Sequence, residues 1–340
     1  MDKITVKNLC SKYRPYVIVG GGIMGLSTAS QIARHTSRQV VLFDNHTATK
    51  IRSSSGQTRG LQYGYSGLHA NLLKTSTTMW NAWNEENQVP LIKTVGHLSL
   101  GAPDELNNLH DMYSELECKI HSIPSKILSV NFPYICSNLP KNNNGLYETS
   151  AKLIDVDETI RYLTKCALRN GVKIIYEASI TDIERSLHRI TVNNTQLYEY
   201  EKLVLCSGPW TNQLLNLASL ELLPVFVSCE QVHYLPILDN ARINCNDIPI
   251  TAATLHTSIN RISNHENESF VYMVPELSKS DRPNILKIGV HQQGLLMNTE
   301  SFRMPSLPTV DALSLHSYSR RTILDISPTS KDIDLYMKSL

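Results

Sequence analysis

The chain has 340 residues, 41% hydrophobic and 19% charged, enough for one large or two ordinary domains with a real core. Lys plus Arg number 32 and Asp plus Glu 31, so the net charge is +1 and nothing draws the chain generally toward nucleic acid or anionic lipid; no basic run or basic-aromatic stripe does so locally. No apolar run approaches the ~20 residues of a membrane span, residues 1–14 lack the apolar stretch of a signal peptide, and Lys338-Ser339-Leu340 is not the Ser-Lys-Leu address, which leaves cytoplasm as the default location.

The seven cysteines, Cys10, Cys118, Cys136, Cys166, Cys206, Cys229 and Cys245, are scattered and form no CxxC pair, so free thiols in a reducing compartment are expected. The 12 histidines show no HExxH or other close ligand set, so no metal site is expected, and Ser207-Gly208 lies outside any GxSxG elbow.

Tyr16 to Val19 reads as an apolar strand ending in Gly20-Gly21-Gly22-Ile23-Met24-Gly25. A helix follows, with Met24, Leu26, Ala29, Ile32 and Ala33 at helical spacing, and stops near His35-Thr36-Ser37. A second strand, Gln39 to Phe43, ends at Asp44, which completes a β-α-β unit. Gly20, Gly22 and Gly25 make GxGxxG in the context that gives it meaning: after a strand, opening a helix, with an acid closing the next strand. The first glycine permits the tight turn, the second lets a pyrophosphate approach the backbone, and the third lets the helix pack against the strand. The amides at the helix start then face the phosphates, and Asp44 can accept hydrogen bonds from an adenosine ribose.

Ser53 to Tyr65 reads as an ordered Ser/Gly loop. An amphipathic helix follows over roughly Leu68 to Glu85, with Leu72, Ser76, Met79 and Trp83 on one face, and then a strand over Thr94 to Leu100. Ile120 to Asn144 looks irregular. Asp155 and Glu158 start a helix buried through Ile160, Leu163, Cys166 and Ala167 and stopped at Asn170-Gly171. Strands are expected at 172–176, 180–184, 189–192 and 197–200, the last two across Asn193-Asn194, and from Leu203 to Cys206. Residues 221–295 read mostly as strands, notably Val225 to Tyr234, Phe270 to Val274 and Ile285 to Val290. An NAD enzyme would continue at once into further βα units; this chain leaves for a loop and a long helix, a layout that suits FAD better.

Ser53-Ser54-Ser55-Gly56-Gln57-Thr58-Arg59 makes a family resemblance specific, together with the Trp80 helix, Val95-Gly96-His97-Leu98, Leu203-Val204-Leu205-Cys206-Ser207-Gly208-Pro209-Trp210 and Leu286-Lys287-Ile288-Gly289-Val290-His291. Over about residues 14 to 325 the chain resembles the monomeric sarcosine oxidase family of D-amino-acid-oxidase-like flavoproteins. The resemblance implies an α/β fold: a Rossmann-like FAD-binding domain from 14–90 and 146–218, an α+β substrate domain with a large, mostly antiparallel sheet from 91–145 and 219–325, and a tail at 326–340. It implies oxidation of a C–N bond in a secondary or cyclic amine or amino acid, with FAD taking a hydride equivalent and molecular oxygen reoxidising it.

The same resemblance assigns residues. Gly20, Gly22, Ile23, Met24, Gly25, Asp44, Ser54, Ile180, Ser207, Gly208 and Trp210 would hold FAD, with Thr58 and Arg59 beside its ring. Arg59 would stabilise negative charge there. Lys287 matches the lysine that promotes the reaction with oxygen, and its apolar neighbours Ile285, Leu286, Ile288 and Val290 favour a buried setting over a solvent-facing one. Tyr272 and His291 match the substrate-pocket pair, though either could equally be an ordinary core residue. Two departures stand out. Gln62 occupies the place of an arginine that would clamp a substrate carboxylate, and a neutral amide forms no bidentate ion pair. Ser327 to Leu340 lacks the glycine-rich helix start and the cysteine through which the family binds flavin covalently, so FAD is expected to be noncovalent. A chain shortened in this way would be weakly active, or would need a partner chain over the exposed apolar edge. An NAD(P)-dependent dehydrogenase is the remaining alternative, with Asp44 disfavouring NADP.

Overall fold

The computed structural model describes residues 13–45, 53–56, 58–62, 68–133, 143–225, 227–229, 232–237, 247–256, 268–277, 285–290 and 295–297. Contacts divide the chain into two compact units, one built mainly from Met1–Gly56 and Val156–Val227, the other from Gln57–Asp155 and Ser228–Leu295.

Among the described residues, the first unit is organised on a four-stranded sheet ordered Lys202–Leu205, Tyr16–Val19, Val40–Phe43, Lys173–Ile175. All its pairings are parallel, which explains why its two central strands are uniformly apolar: a parallel sheet is covered on both faces. Val17, Ile18, Val41, Leu42 and Phe43 are fully buried, each contributing about 1.5–3 kcal/mol. The Ile23–His35 helix buries Gly25, Leu26, Ala29 and Ser30. It packs on the Val156–Arg169 helix, where the Asn170 amide donates to Ser30 Oγ at 3.0 Å. Met24, expected on the buried stripe, is exposed instead. A three-stranded antiparallel meander, Ile180–Glu184, Arg189–Val192 and Gln196–Glu199, shares a core with the parallel sheet through Ile183, Ile190, Val192 and Tyr198.

In the second unit, the described strands form a seven-stranded sheet ordered Val232–Pro236, Ile285–Val290, Glu268–Pro275, Ile250–His256, His97–Gly101, Asn144–Glu148, Ile120–Ile123. Only the Ile250–His256 and His97–Gly101 pair is parallel. A three-stranded sheet of Thr58–Leu61, Lys152–Asp155 and Ile92–Thr94 belongs to the same unit. No helix among the described residues is long and apolar enough to cross a membrane.

Several local expectations are corrected. Thr58–Leu61, read as loop, is a strand, because it pairs antiparallel with Lys152–Asp155 from Thr58↔Asp155 to Leu61↔Lys152. That pairing lies within the second compact unit, which holds both Gln57–Asp155 and Ser228–Leu295. The strand expected over Thr94 to Leu100 is two strands, Ile92–Thr94 and His97–Gly101, broken where Gly96 adopts φ +77°. Within the stretch read as irregular lie the Ile120–Ile123 strand, the Ser125–Asn131 helix and the start of the Asn144–Glu148 strand. Among the described side chains of the Leu68–Glu86 helix, Leu73 and Trp80, one heptad apart, are buried, while Leu72 is exposed. The stripe was offset by one residue because Ser, Thr and Asn break its apolar pattern.

Candidate functional site

In the first unit the glycine turn is built by close approach. Gly20 sits at φ +110°, and a Cβ there would lie 2.3 Å from the Cys206 carbonyl oxygen. A Cβ on Gly25 would lie 1.7 Å from the Gly20 oxygen. The strand ends are locked to the turn by Gly20 N–H donating to Phe43 O and Cys206 N–H donating to Val19 O, both at 2.8 Å. Both glycines are therefore structural necessities of the turn. Gly21 and Gly22 differ. The Asp44 carboxylate overlies Gly21, 2.5 Å from where a Cβ would stand, and over Gly22 the nearest atom is Ser54 Oγ at 3.0 Å. Ser54 Oγ also accepts the Ile23 amide at 3.1 Å, so a loop serine caps the helix start. Asp44 is buried, its amide donating to Ile175 O and its carbonyl accepting from Ala178.

The other expected cofactor residues of this unit lie as follows. Ile180 is buried in the core at the start of an edge strand of the meander. Ser207 follows the Lys202–Leu205 strand, which pairs directly with Tyr16–Val19. Its carbonyl accepts the Trp210 amide at 3.2 Å, and its hydroxyl donates to Thr211 Oγ1 at 3.3 Å. Gly208 is exposed at φ +56°, and Trp210 is half-buried. The turn, Asp44, Ser54 and the Ser207–Trp210 segment thus belong to one unit. The backbone left approachable at Gly22, with the Asp44 carboxylate alongside, fits the diphosphate and ribose of a dinucleotide such as FAD.

In the second unit, Lys287 is 4% exposed in the Ile285–Val290 strand, opposite Val274 and Tyr234. Its ammonium donates to the Thr58 carbonyl and lies 3.6 Å from Glu276 Oε1. The Thr58 hydroxyl donates to Glu276 Oε2 at 2.6 Å, and Arg59 donates to the same Thr58 carbonyl at 3.0 Å. Thr58, Arg59, Glu276 and Lys287 are thus one buried or half-buried cluster carrying two cations and one carboxylate. Burial pushes the Glu276 carboxyl above its ordinary range, against the opposing pull of Lys287, Thr58 and Arg59.

Tyr272 is half-buried and stands opposite Gly289 in the antiparallel ladder. Its hydroxyl would be 2.5 Å from a Cβ at 289. The glycine of the Lys-x-Gly-x-His strand is therefore the space that the Tyr272 ring fills. Gln62 is half-buried, one residue past the Thr58–Leu61 strand. His291 lies outside the described residues. Sequence reasoning missed Glu276. It follows the Glu268–Pro275 strand directly, and only the register that puts Val274 opposite Lys287 brings it to the lysine.

The family described as DAO, FAD dependent oxidoreductase, matches residues 15–289. Peroxisomal sarcosine oxidase of Homo sapiens is 26% identical over 209 residues, 61% of this chain and 53% of that protein. Monomeric sarcosine oxidase of Bacillus sp. (strain B-0618) is 21% identical over 212 residues, 61% of this chain and 54% of that protein. The chain thus spans about half the length of the curated relatives it matches. Among solved structures, NikD, an unusual amino acid oxidase essential for nikkomycin biosynthesis, superposes with a TM-score of 0.63 at 18% identity, over 86% of this chain and 73% of that one. Glycine oxidase from Geobacillus kaustophilus gives 0.61 at 18% identity, over 82% of this chain and 70% of that one. These neighbours share the fold, with its Rossmann-like dinucleotide part. The two glycine-built and lysine-built sites and the match over most of the chain lead to one statement: the chain belongs to the FAD dependent oxidoreductase family.

Proposed function

We propose that the protein oxidises the C–N bond of a secondary or cyclic amine or amino acid. Bound FAD would accept a hydride equivalent from the carbon beside nitrogen and pass two electrons to molecular oxygen, giving the imine and hydrogen peroxide. The observation that carries this reading is the Lys287 ammonium, 4% exposed, sharing the Thr58 carbonyl with the Arg59 guanidinium.

Each residue then has a task. The amides at Gly21 to Gly25 face the diphosphate, and Asp44 accepts the ribose hydroxyls. Ser54, Ile180, Ser207, Gly208 and Trp210 border the same group noncovalently. Thr58 and Arg59 would serve the flavin ring, where a permanent cation would favour the reduced, negatively charged form. The Lys287 ammonium, in a desolvated setting, stabilises negative charge arriving on oxygen. Tyr272 would border the substrate, and the neutral Gln62 favours substrates that need no carboxylate clamp at that point.

The reading is tested by adding FAD to the purified chain and recording the flavin band, followed by a panel of N-alkyl and cyclic amino acids with peroxide as readout. A flavin band, peroxide from at least one such amine, and a Lys287→Met variant in which flavin reoxidation slows far more than flavin reduction are the expected results. Absence of flavin binding, or nicotinamide-cofactor binding in its place, would sink the proposal.

A further inference from the structure

Resting on the function proposed above, the geometry points to Glu276 as the positioning residue for Lys287: its carboxylate, anchored by the Thr58 hydroxyl at 2.6 Å, holds the Lys287 ammonium at 3.6 Å, charged and fixed in place for the oxygen step. An ammonium taken out of water tends to shed its proton or turn toward solvent, and Lys287 is 4% exposed. Its side chain stays inside because two oxygens receive it, the Thr58 carbonyl and the Glu276 carboxylate. The carboxylate is itself 4% exposed and would swing or protonate without partners of its own; the Thr58 hydroxyl and the Lys287 ammonium supply them.

Thr58 is the pivot of the arrangement. Its hydroxyl orients Glu276, its carbonyl receives both Lys287 and Arg59, and the Leu277 amide donates back to its hydroxyl oxygen at 3.3 Å. That last bond closes a loop between the Thr58–Leu61 strand and the end of the Glu268–Pro275 strand. The Thr58 carbonyl cannot move without moving Glu276. Thr58, Glu276 and Lys287 therefore act as one unit, and the Arg59 guanidinium leaves the cluster with a net positive charge. Glu276 is given no contact with substrate or flavin; it acts through Lys287.

The test separates a charge role from a scaffolding role. Glu276→Gln keeps an acceptor for the Thr58 hydroxyl and removes the charge; Thr58→Val removes the hydroxyl and keeps the carboxylate. In FAD-loaded protein, Glu276→Gln is expected to slow flavin reoxidation by oxygen about tenfold or more with flavin reduction unchanged. Thr58→Val, which loosens the carboxylate without removing its charge, is expected to slow it by a clearly smaller factor. Equal losses in both variants would make Glu276 a scaffold only, and an unchanged or faster Glu276→Gln would show that the carboxylate does not sustain the ammonium; either overturns the inference. A second readout needs no flavin. In the chain labelled with [13Cε]lysine, with the Lys287 signal assigned through Lys287→Met, its titration midpoint should fall by about one pH unit or more in Glu276→Gln, and an unmoved midpoint overturns the inference. Should Glu276→Gln fail to fold, Glu276→Asp, which retracts the charge by one carbon, should move the midpoint the same way by a smaller amount, and no movement is again fatal. Because this arm is read without FAD, a failure of flavin binding counts against the proposed function and leaves the Glu276–Lys287 coupling to be decided by the titration.

Discussion

His97 and Glu148 stand directly opposite each other in the antiparallel ladder between His97–Gly101 and Asn144–Glu148, and both are inside the protein. Burial pushes the His97 pKa down to about 4. Its ring meets Ser99 on its own strand at 3.3 Å and Tyr113 from the Pro103–Glu115 helix at 3.4 Å, both neutral, while the Glu148 carboxylate is turned to Ser150. A base with a depressed folded pKa binds its proton more readily when unfolded, so its stabilising contribution is full above the ordinary value of 6.5 and is lost as pH falls toward about 4. The cumulative loss is about 3 kcal/mol. Urea unfolding across that window should show the slope, and His97→Leu should remove most of it; an identical slope in the variant would clear His97 of the effect.

Lys287→Met leaves the Glu276 carboxylate buried beside an apolar side chain. Removing one member of a buried pair costs about 3–5 kcal/mol. Lys287→Met combined with Glu276→Leu should cost clearly less than Lys287→Met alone, since no charge is then stranded. Denaturant midpoints of the two variants decide the point, and additive losses would mean that the residues are not coupled.

The glycines of the turn divide into two kinds. Gly25→Ala puts a Cβ 1.7 Å from a backbone oxygen that cannot yield, and should destabilise the chain by about 3 kcal/mol or more. Gly22→Ala meets only the movable Ser54 hydroxyl, at 3.0 Å. It should fold with a nearly unchanged melting temperature but bind FAD about tenfold or more weakly, because the methyl occupies the path of the diphosphate. Thermal unfolding and FAD titration together read both variants. Equal effects of the two on stability would contradict the division.

Gly289→Ala would force the Tyr272 ring from its place, where the hydroxyl is 2.5 Å from the new Cβ. Since Tyr272 borders the proposed substrate space, KM for the best amine of the panel should change more than the rate of flavin reoxidation, with Gly289→Ala/Tyr272→Phe restoring part of it. A kinetic profile altered only in reoxidation would place Tyr272 elsewhere.

The β-α-β unit was legible because its signals are local. Tyr16–Val19 and Val40–Phe43 are apolar without alternation, as parallel strands must be, and Gly25 answers a clash arising within the turn itself. The burial of Lys287 was legible for the same reason, in the apolar residues on either side of it. Three things were not. Thr58–Leu61 carries little strand propensity and becomes a strand only by pairing with Lys152–Asp155. The buried stripe of the Leu68–Glu86 helix depends on which side meets the core, so Leu73 and not Leu72 is inside. Glu276 reaches Thr58 across 218 positions of sequence, a distance at which no periodicity or spacing carries information. The amino-acid order thus determined where a dinucleotide turn and a buried lysine would form, because neighbours along the chain impose both. Tertiary structure decided which carboxylate the lysine meets, because only the register of distant strands, Val274 opposite Lys287 and Thr58 opposite Asp155, sets that partner.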